Sequence, residues 1–172
     1  MRKIFLFLSI GFLLQSCIKQ ETGDYTLRFN RILSMEAGSR SLITHVYGFN
    51  IPTGWDNLLS SNNLQNSDIE KVLVRNIRLS PLLSSSISYR YIESIKVIII
   101  DPSKPQIRWP IGEATPQFNE GTGDLFLFPG IANLKDYLSL SQMRIECEIR
   151  YRDNLTSTTE HDFELEFDVF RK

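Results

Sequence analysis

The strongest constraint on the fold is the alternation of apolar and charged residues near the C-terminus. Between Met143 and Tyr151 every second residue is apolar, and each residue between them is charged. Between His161 and Val169 the intervening residues are all acidic. A period of two places successive side chains on opposite faces of a strand. Because a register shift of one residue would expose the whole apolar set, the sequence predicts two strands with fixed faces, paired as a hairpin across a turn at 153–158.

Alternating or β-branched segments recur along the rest of the chain, separated by stretches rich in proline, glycine and serine. The sequence therefore predicts an all-β fold, a single antiparallel β-sandwich, Ig-like or jelly-roll-like, of about seven to nine strands. One short helix is predicted near 133–139, because the side-chain oxygen of Asn133 can cap it. The further strands are predicted at 25–30, 43–51, 72–79, 92–100, 107–111 and 124–128.

Four local features refine this prediction. A charged and a polar residue at 75–76 interrupt the alternation of their strand, which indicates a bulge. The β-branched run that ends 92–100 suits a central strand covered on both faces. Pro110 cannot donate to a ladder, so 107–111 is predicted at a sheet edge. The segment 52–68 is predicted as a long loop with room for one helical turn.

The N-terminal segment has the composition of an export signal. Arg2 and Lys3 precede an apolar run at 4–14, which is too short to span a bilayer because a spanning helix takes about 20 apolar residues. A basic start, a short apolar core and a small residue before a cleavage site are typical of a signal peptide. Leu14-Gln15-Ser16-Cys17 resembles the lipobox of bacterial lipoproteins. The resemblance implies cleavage before Cys17 and attachment of diacylglycerol to its sulfur.

This resemblance divides the chain into three parts. Residues 1–16 would be a cleaved signal peptide, 17–23 a lipidated N-terminus with a short tether, and 24–172 the β-sandwich domain. Lys19 and Glu21 are similar to the Lys-then-acid signal that sends some Bacteroidota lipoproteins to the cell surface. The similarity implies lipid anchoring in the cell outer membrane, with surface exposure favoured over the periplasmic side.

The layout of the second half of the chain indicates the same family. Segments at 68–71, 92–97 and 133–138, followed by the two alternating strands, are similar to small β-sandwich outer-membrane lipoproteins of the Bacteroidota, whose function is unknown. The similarity spans 68–172 and concerns strand and helix features. It therefore implies a fold and a location rather than an activity.

Charge and cysteine content narrow the possible partners. Removal of residues 1–16 takes two of the 19 Lys and Arg and none of the 20 Asp and Glu, which leaves a net charge of about −3 and argues against nucleic acid as a partner. The membrane, through the lipid, is the predicted partner. If Cys17 carries lipid, Cys147 has no cysteine to pair with, and the strand pattern predicts that its thiol is buried.

The sequence contains no motif for nucleophilic, phosphate-binding or metal-dependent chemistry. His45 and His161 lack metal-ligand spacing, and His45 is interpreted as a packed or hydrogen-bonded core residue. We therefore predict no enzymatic activity, no cofactor and no metal site.

Four glutamates on the outer side of the predicted hairpin could come together. A solvated face with cross-strand salt bridges is the main interpretation. A patch for calcium or for a basic partner is the alternative, since calcium binds clustered carboxylate oxygens. The four residues are Glu146, Glu148, Glu164 and Glu166.

The predicted function is a non-enzymatic, lipid-anchored accessory module that docks on a partner in the outer membrane or at the cell surface. The alternative is a surface domain that binds glycans or another ligand, with Trp55, Trp109, Tyr89 or Tyr91 as stacking platforms. Trp55 is interpreted first as a cap on the core. A hydrolase with its acids on the long loops is a third candidate.

Overall fold

The fold is described by a computed structural model over residues 22–83, 88–116 and 123–172. Most of these residues form antiparallel strands in two packed sheets, so the prediction of an all-β sandwich is confirmed. The strands are β1 Tyr25–Met35, β2 Thr44–Pro52, β3 Ile69–Pro81, β4 Ile92–Ile100, β5 Arg108–Ala114, β6 Leu125–Phe126, β7 Phe128–Pro129, β8 Gln142–Tyr151 and β9 Thr159–Arg171. The helices are α1 Trp55–Ser61 and α2 Lys135–Leu138, with 3₁₀ turns at Asn66–Asp68 and Tyr89–Tyr91.

The order of strands within the sheets distinguishes between the two predicted kinds of sandwich. One sheet has the order β1-β9-β3-β6 and the other the order β2-β8-β4-β5-β7. The pairs β1·β9, β2·β8, β3·β6 and β4·β5 are nested, so that the first half of the chain runs antiparallel to the second half. This arrangement is that of a jelly roll and not of an immunoglobulin-like sandwich.

The predicted pairing of the last two strands as a hairpin is wrong. β8 lies between β2 and β4 in one sheet, and β9 lies between β1 and β3 in the other. The link at 152–158 therefore crosses from sheet to sheet, beside the link that joins β1 to β2. Gly38 N–H donates to Leu155 O at 2.8 Å, and Leu155 N–H donates to Ser39 O at 3.0 Å. The periodicity identified which face of each strand is buried, but it carried no information on which strand is its partner.

The inward faces of these two strands are confirmed. The alternating residues from Met143 to Tyr151 and from His161 to Val169 are all fully buried. They face each other across the core, one set from each sheet. β9 also buries Glu164, Glu166 and Asp168 on its other face, which the sequence placed in solvent.

Several local predictions are also confirmed. β4 has the predicted bounds and is buried on both faces over its last four residues. The register of β3 shifts between Val74 and Asn76, at the predicted bulge. Among the described residues β7 pairs with β5 only at Gly112 and Glu113. The part of β5 that contains Pro110 therefore lies at the sheet edge.

The strand predicted at 124–128 is divided between the two sheets. β6 pairs with β3, and β7 pairs with β5. Leu127 is buried between the two, and its N–H donates to Ile77 O at 3.0 Å. This short segment therefore adds a strand to the same side of both sheets, and the chain passes from one sheet to the other at Leu127.

One predicted helix is present and a second was missed. α2 occupies the predicted position, and Asn133 Oδ1 accepts hydrogen bonds from Lys135 N–H at 3.1 Å and Val72 N–H at 3.0 Å. α1 lies in the segment predicted as a long loop. Its high Asn and Ser content hid the i, i+3, i+4 spacing of Trp55, Leu58 and Leu59, which pack against the core.

The strands define two ends of the domain. We call one of them the lower end: β1, β3, β5 and β8 begin there, and β2, β4 and β9 end there. The opposite end is the upper end. Hydrogen bonds tie the lower end together: Arg171 N–H donates to Asp24 Oδ2 at 2.7 Å, and Lys135 Nζ donates to Ile69 O at 2.7 Å.

Candidate functional site

The four glutamates predicted as a possible patch do not come together. Glu146 and Glu148 lie on β8, and Glu164 and Glu166 lie on β9. Because these strands belong to different sheets, the two pairs occupy opposite outer faces of the sandwich. No group of three or more His, Cys, Asp or Glu side chains in 22–83, 88–116 and 123–172 is placed to hold a metal ion.

On the four-stranded sheet the carboxylates are covered by arginines from neighbouring strands. Arg28 Nε donates to Glu166 Oε1 at 2.6 Å, and Arg78 Nη2 donates to Glu164 Oε2 at 3.0 Å. Both carboxylates are nearly buried, while the arginines keep more exposure. The predicted cross-strand salt bridges are present, with arginines from β1 and β3 rather than from β8, but the face is not solvated, because both carboxylates are nearly buried.

On the five-stranded sheet two arginines hold one carboxylate. Arg144 Nε lies 2.8 Å from Glu146 Oε1, and Arg108 Nη2 lies 2.7 Å from Glu146 Oε2 and 2.8 Å from Glu148 Oε1. Burial favours a higher pKa for Glu146, but the two arginines outweigh it and hold the pKa below its ordinary value. Gly48 leaves room for this arrangement, because a Cβ there would lie 2.8 Å from Arg144 Nη2.

A cavity of about 420 Å³ opens beside this arginine pair. Its lining combines apolar surface with the two guanidinium groups, a mixture found in sites for small polar ligands. A second cavity of about 190 Å³ lies on the other side of the connection between β4 and β5. The first is lined by Asn50, Ile100, Pro102, Pro105, Arg108, Arg144 and Glu146, and the second by Asp101, Lys104, Ile107, Asp136 and Tyr137.

The aromatic residues proposed as stacking platforms differ in exposure. Trp55 is 3% exposed, and its Nε1–H donates to Asn66 Oδ1 at 3.2 Å, so the interpretation as a core cap is confirmed. Tyr89 is buried and Tyr91 is partly buried. Trp109 is 47% exposed, so of the four side chains it alone offers a wide face to solvent.

Exposed apolar side chains follow the side of the sandwich that β5, β6 and β7 close. Phe126 is 58% exposed, Phe128 is 78% exposed and Ile131 is 95% exposed. Trp109 and Ile107 continue the row toward the lower end, and Ile107 is 45% exposed. We call these five residues the apolar edge. Apolar side chains that are exposed along one side of a domain are candidates for an interaction surface.

The backbone places Ile131 beside the first residues of β5. Gly112 pairs with Pro129, and Gly130 N–H donates to Ile111 O at 2.8 Å. The chain thus continues along β5 past β7, toward Pro110. The alternation around Leu127 predicted a strand at 124–128 that ends before Pro129-Gly130. It did not predict this row, because alternation does not indicate that a strand lies at a sheet edge.

His161 belongs to a buried polar cluster. Its Nδ1 lies 3.0 Å from the Tyr89 hydroxyl, and its Nε2 lies 2.9 Å from Thr159 Oγ1. Burial lowers the pKa of His161 to about 4 and raises the pKa of Tyr89. His161 and Tyr89 are both buried in this cluster, which suits a structural role. His45 Nε2 lies 2.9 Å from Arg40 O, and its ring packs 5.1 Å from that of Tyr151. His45 is thus packed and hydrogen-bonded as predicted, but it is half-buried and not a core residue.

Cys147 is fully buried, as predicted, and burial raises the pKa of its thiol. Because the thiolate is the reactive form, we expect the folded protein to resist a soluble alkylating reagent and to react once denatured. Mass spectrometry of a Cys17→Ser form before and after denaturation would measure this. Modification of Cys147 in the folded protein at the rate seen in denaturant would contradict the assigned burial.

The N-terminal predictions fall on residues that the structure does not describe. Cys17, Lys19 and Glu21, the signal peptide 1–16 and most of the tether 17–23 lie outside the described ranges. Within those ranges, no helix has both the length and the apolar character needed to span a bilayer.

Comparison with known proteins gives little further information. No protein-family model matches the chain, and no curated protein matches it. Among solved structures it is similar to one of turnip yellow mosaic virus, with 8% identity, a TM-score of 0.31 and coverage of 88% of this chain and 85% of that chain. It is also similar to one of Desmodium yellow mottle tymovirus, with 6% identity, a TM-score of 0.22 and coverage of 91% and 95%. TM-scores this low support no inference about shared function.

Proposed function

We propose that this chain is a non-enzymatic, lipid-anchored accessory module of the cell envelope, which docks on a partner protein in the outer membrane or at its surface. The apolar edge is the observation that carries the docking role. The lipobox-like Leu14–Cys17 segment motivates the anchor, and Lys19 and Glu21 motivate the surface side over the periplasmic side.

The apolar edge suits contact through side chains rather than through strand addition. β6 and β7 have two residues each. Pro110 and Pro129 carry no N–H and therefore cannot pair with an incoming strand. Edges shortened and blocked in this way resist uncontrolled pairing. The upper part of the edge, Phe126 and Phe128, thus offers aromatic anchors of the kind that dominate protein interfaces.

The titratable groups of the described residues support a non-enzymatic role. Glu146, Glu164 and Glu166 are held by arginines on the outer faces of the sheets. His161 is enclosed in the core with tyrosine and threonine partners. Each of these groups therefore has a structural partner that accounts for it.

A ligand-binding role is the second candidate, and one observation favours it. The cavity of about 420 Å³ presents two guanidinium groups beside proline and isoleucine surfaces. Arginine binds carboxylate and phosphate groups through its fork of N–H donors. Glu146 and Glu148 already occupy donors of these two arginines, so a small anionic ligand or an acidic sugar would bind through their remaining N–H groups.

Substitution in the apolar edge tests the docking role. We expect Phe128→Asp to lower recovery of a partner from gently solubilised membranes by about tenfold or more, the effect of losing an interface aromatic that contributes at least about 1.4 kcal/mol. Leu83→Asp, an equally drastic change at an 86% exposed residue near the upper end, is the matched control. Isolation of both variants and the parent as free monomers would refute the proposed docking role.

A further inference from the structure

We infer that the lower end of the domain rests on the bilayer, with Ile107, Trp109 and Ile131 in the lipid headgroup region. This inference rests on the proposed lipid anchor at Cys17. It identifies the membrane, rather than a second protein, as what covers the lower part of the apolar edge. The upper part, at Phe126 and Phe128, remains available to a partner.

The register of the strands places these side chains near the lower end. Trp109 lies opposite Ile99, one residue from the end of β4, and Ile107 precedes β5. Phe128 lies opposite Glu113, four residues further along β5 than Trp109. At roughly 3.3 Å per residue, this separates the upper part of the edge from Trp109 by about 13 Å.

The chain enters the domain at the same end. Asp24, the residue before β1, accepts a hydrogen bond from Arg171 N–H at 2.7 Å. Seven residue steps separate Cys17 from Asp24, which a fully extended chain covers in about 25 Å at most. β9 has 13 residues and is therefore about 40 Å long. A tether shorter than the domain holds the lower end close to the lipid.

A continuous set of contacts joins the entry point to the apolar residues. Arg171 pairs with Ile69 across β9 and β3. Lys135 Nζ of α2 donates to Ile69 O at 2.7 Å. Tyr137, in the same helix, lines one cavity together with Ile107. The entry point and the lower apolar edge thus belong to one packed surface.

The residue types fit the interfacial region of a bilayer. Tryptophan is enriched there because its ring is apolar and its N–H is polar. Isoleucine adds apolar area, and the lipid on Cys17 supplies the persistent attachment. Because the contact is apolar, we expect it to depend weakly on salt and to form on zwitterionic lipid.

Tryptophan fluorescence tests the inference on the full, lipidated protein in phosphatidylcholine vesicles with brominated acyl chains. The chain has two tryptophans, and Trp55 is buried in the core. Quenching by the brominated lipid should therefore remove about half of the emission, the share of Trp109. Trp109→Phe, which keeps Trp55, should show almost no quenching.

Charged substitutions provide the matched comparison. Ile131→Glu should reduce the quenching of Trp109 severalfold, because a carboxylate resists entry into the headgroup boundary. Leu83→Glu, at the upper end, should leave the quenching unchanged. Circular dichroism and melting of each variant would establish that it is folded before vesicles are compared.

The outcomes separate this inference from the anchor on which it rests. If intact mass shows lipid on Cys17 while Trp109 is unquenched in vesicles, the membrane contact is refuted and the anchor stands. If intact mass shows an unmodified Cys17, both the anchor and the contact are refuted. Quenching that is abolished equally by Leu83→Glu and Ile131→Glu would also refute the assigned surface.

Discussion

Phe167→Ala is expected to lower the free energy of unfolding by about 3–5 kcal/mol, the cost of removing a large buried aromatic side chain and leaving a cavity. Phe167 is fully buried near the middle of β9. It lies opposite Leu27 on β1 and Val74 on β3. Its ring meets that of Phe29 edge to face, with centroids 5.8 Å apart. Denaturant unfolding followed by fluorescence or circular dichroism would measure the loss.

The matched control is a phenylalanine on the outside of the same sheet. Phe126 is 58% exposed at the edge strand β6, so Phe126→Ala should change the free energy of unfolding by no more than about 0.5 kcal/mol. A similar loss for both variants would contradict the burial of Phe167 and the exposure of Phe126. The pair of variants therefore tests whether the inner face of β9 carries the core of its sheet.

The sequence predicted the faces of the strands well because burial imposes the period of two. Met143 and Phe163 were both assigned inward, and both are buried. The sequence did not predict which strands pair, because the alternation within a strand carries no information about the neighbouring strand. A short link such as 152–158 suits a hairpin and a crossing between sheets equally well. The pairing of β1 with β9 depends on contacts between residues that are far apart in the sequence.

The candidate surface was less predictable, for a different physical reason. Exposure depends on what covers a residue, and that requires the tertiary fold. Glu164 and Glu166 were assigned to solvent, yet Arg78 and Arg28 cover them from strands far away in sequence. Phe128 was assigned to a strand, and the end of that strand at the sheet edge left its ring in solvent.

Acidification is expected to destabilise the domain through His161. The pKa of His161 lies at about 4 in the folded protein, below the ordinary value of 6.5, because burial disfavours the charged ring. Between these two pH values the unfolded chain binds a proton that the folded domain does not. Stability is therefore complete above pH 6.5 and falls as the pH drops toward 4, by about 3 kcal/mol at about 1.4 kcal/mol per pKa unit.

Other groups also titrate below pH 6, so the measurement must be a difference between variants. His161→Gln keeps a neutral donor and acceptor in the cluster with Tyr89 and Thr159, and it should remove about 3 kcal/mol of the stability change between pH 7 and pH 4. His45→Gln replaces the other histidine, whose ring lies partly exposed, and is the matched control. The contact between His161 and Tyr89 requires that β9 pack against the turn before β4. If the parent and His161→Gln lost the same free energy of unfolding between pH 7 and pH 4, the result would contradict this buried cluster and the packing that forms it.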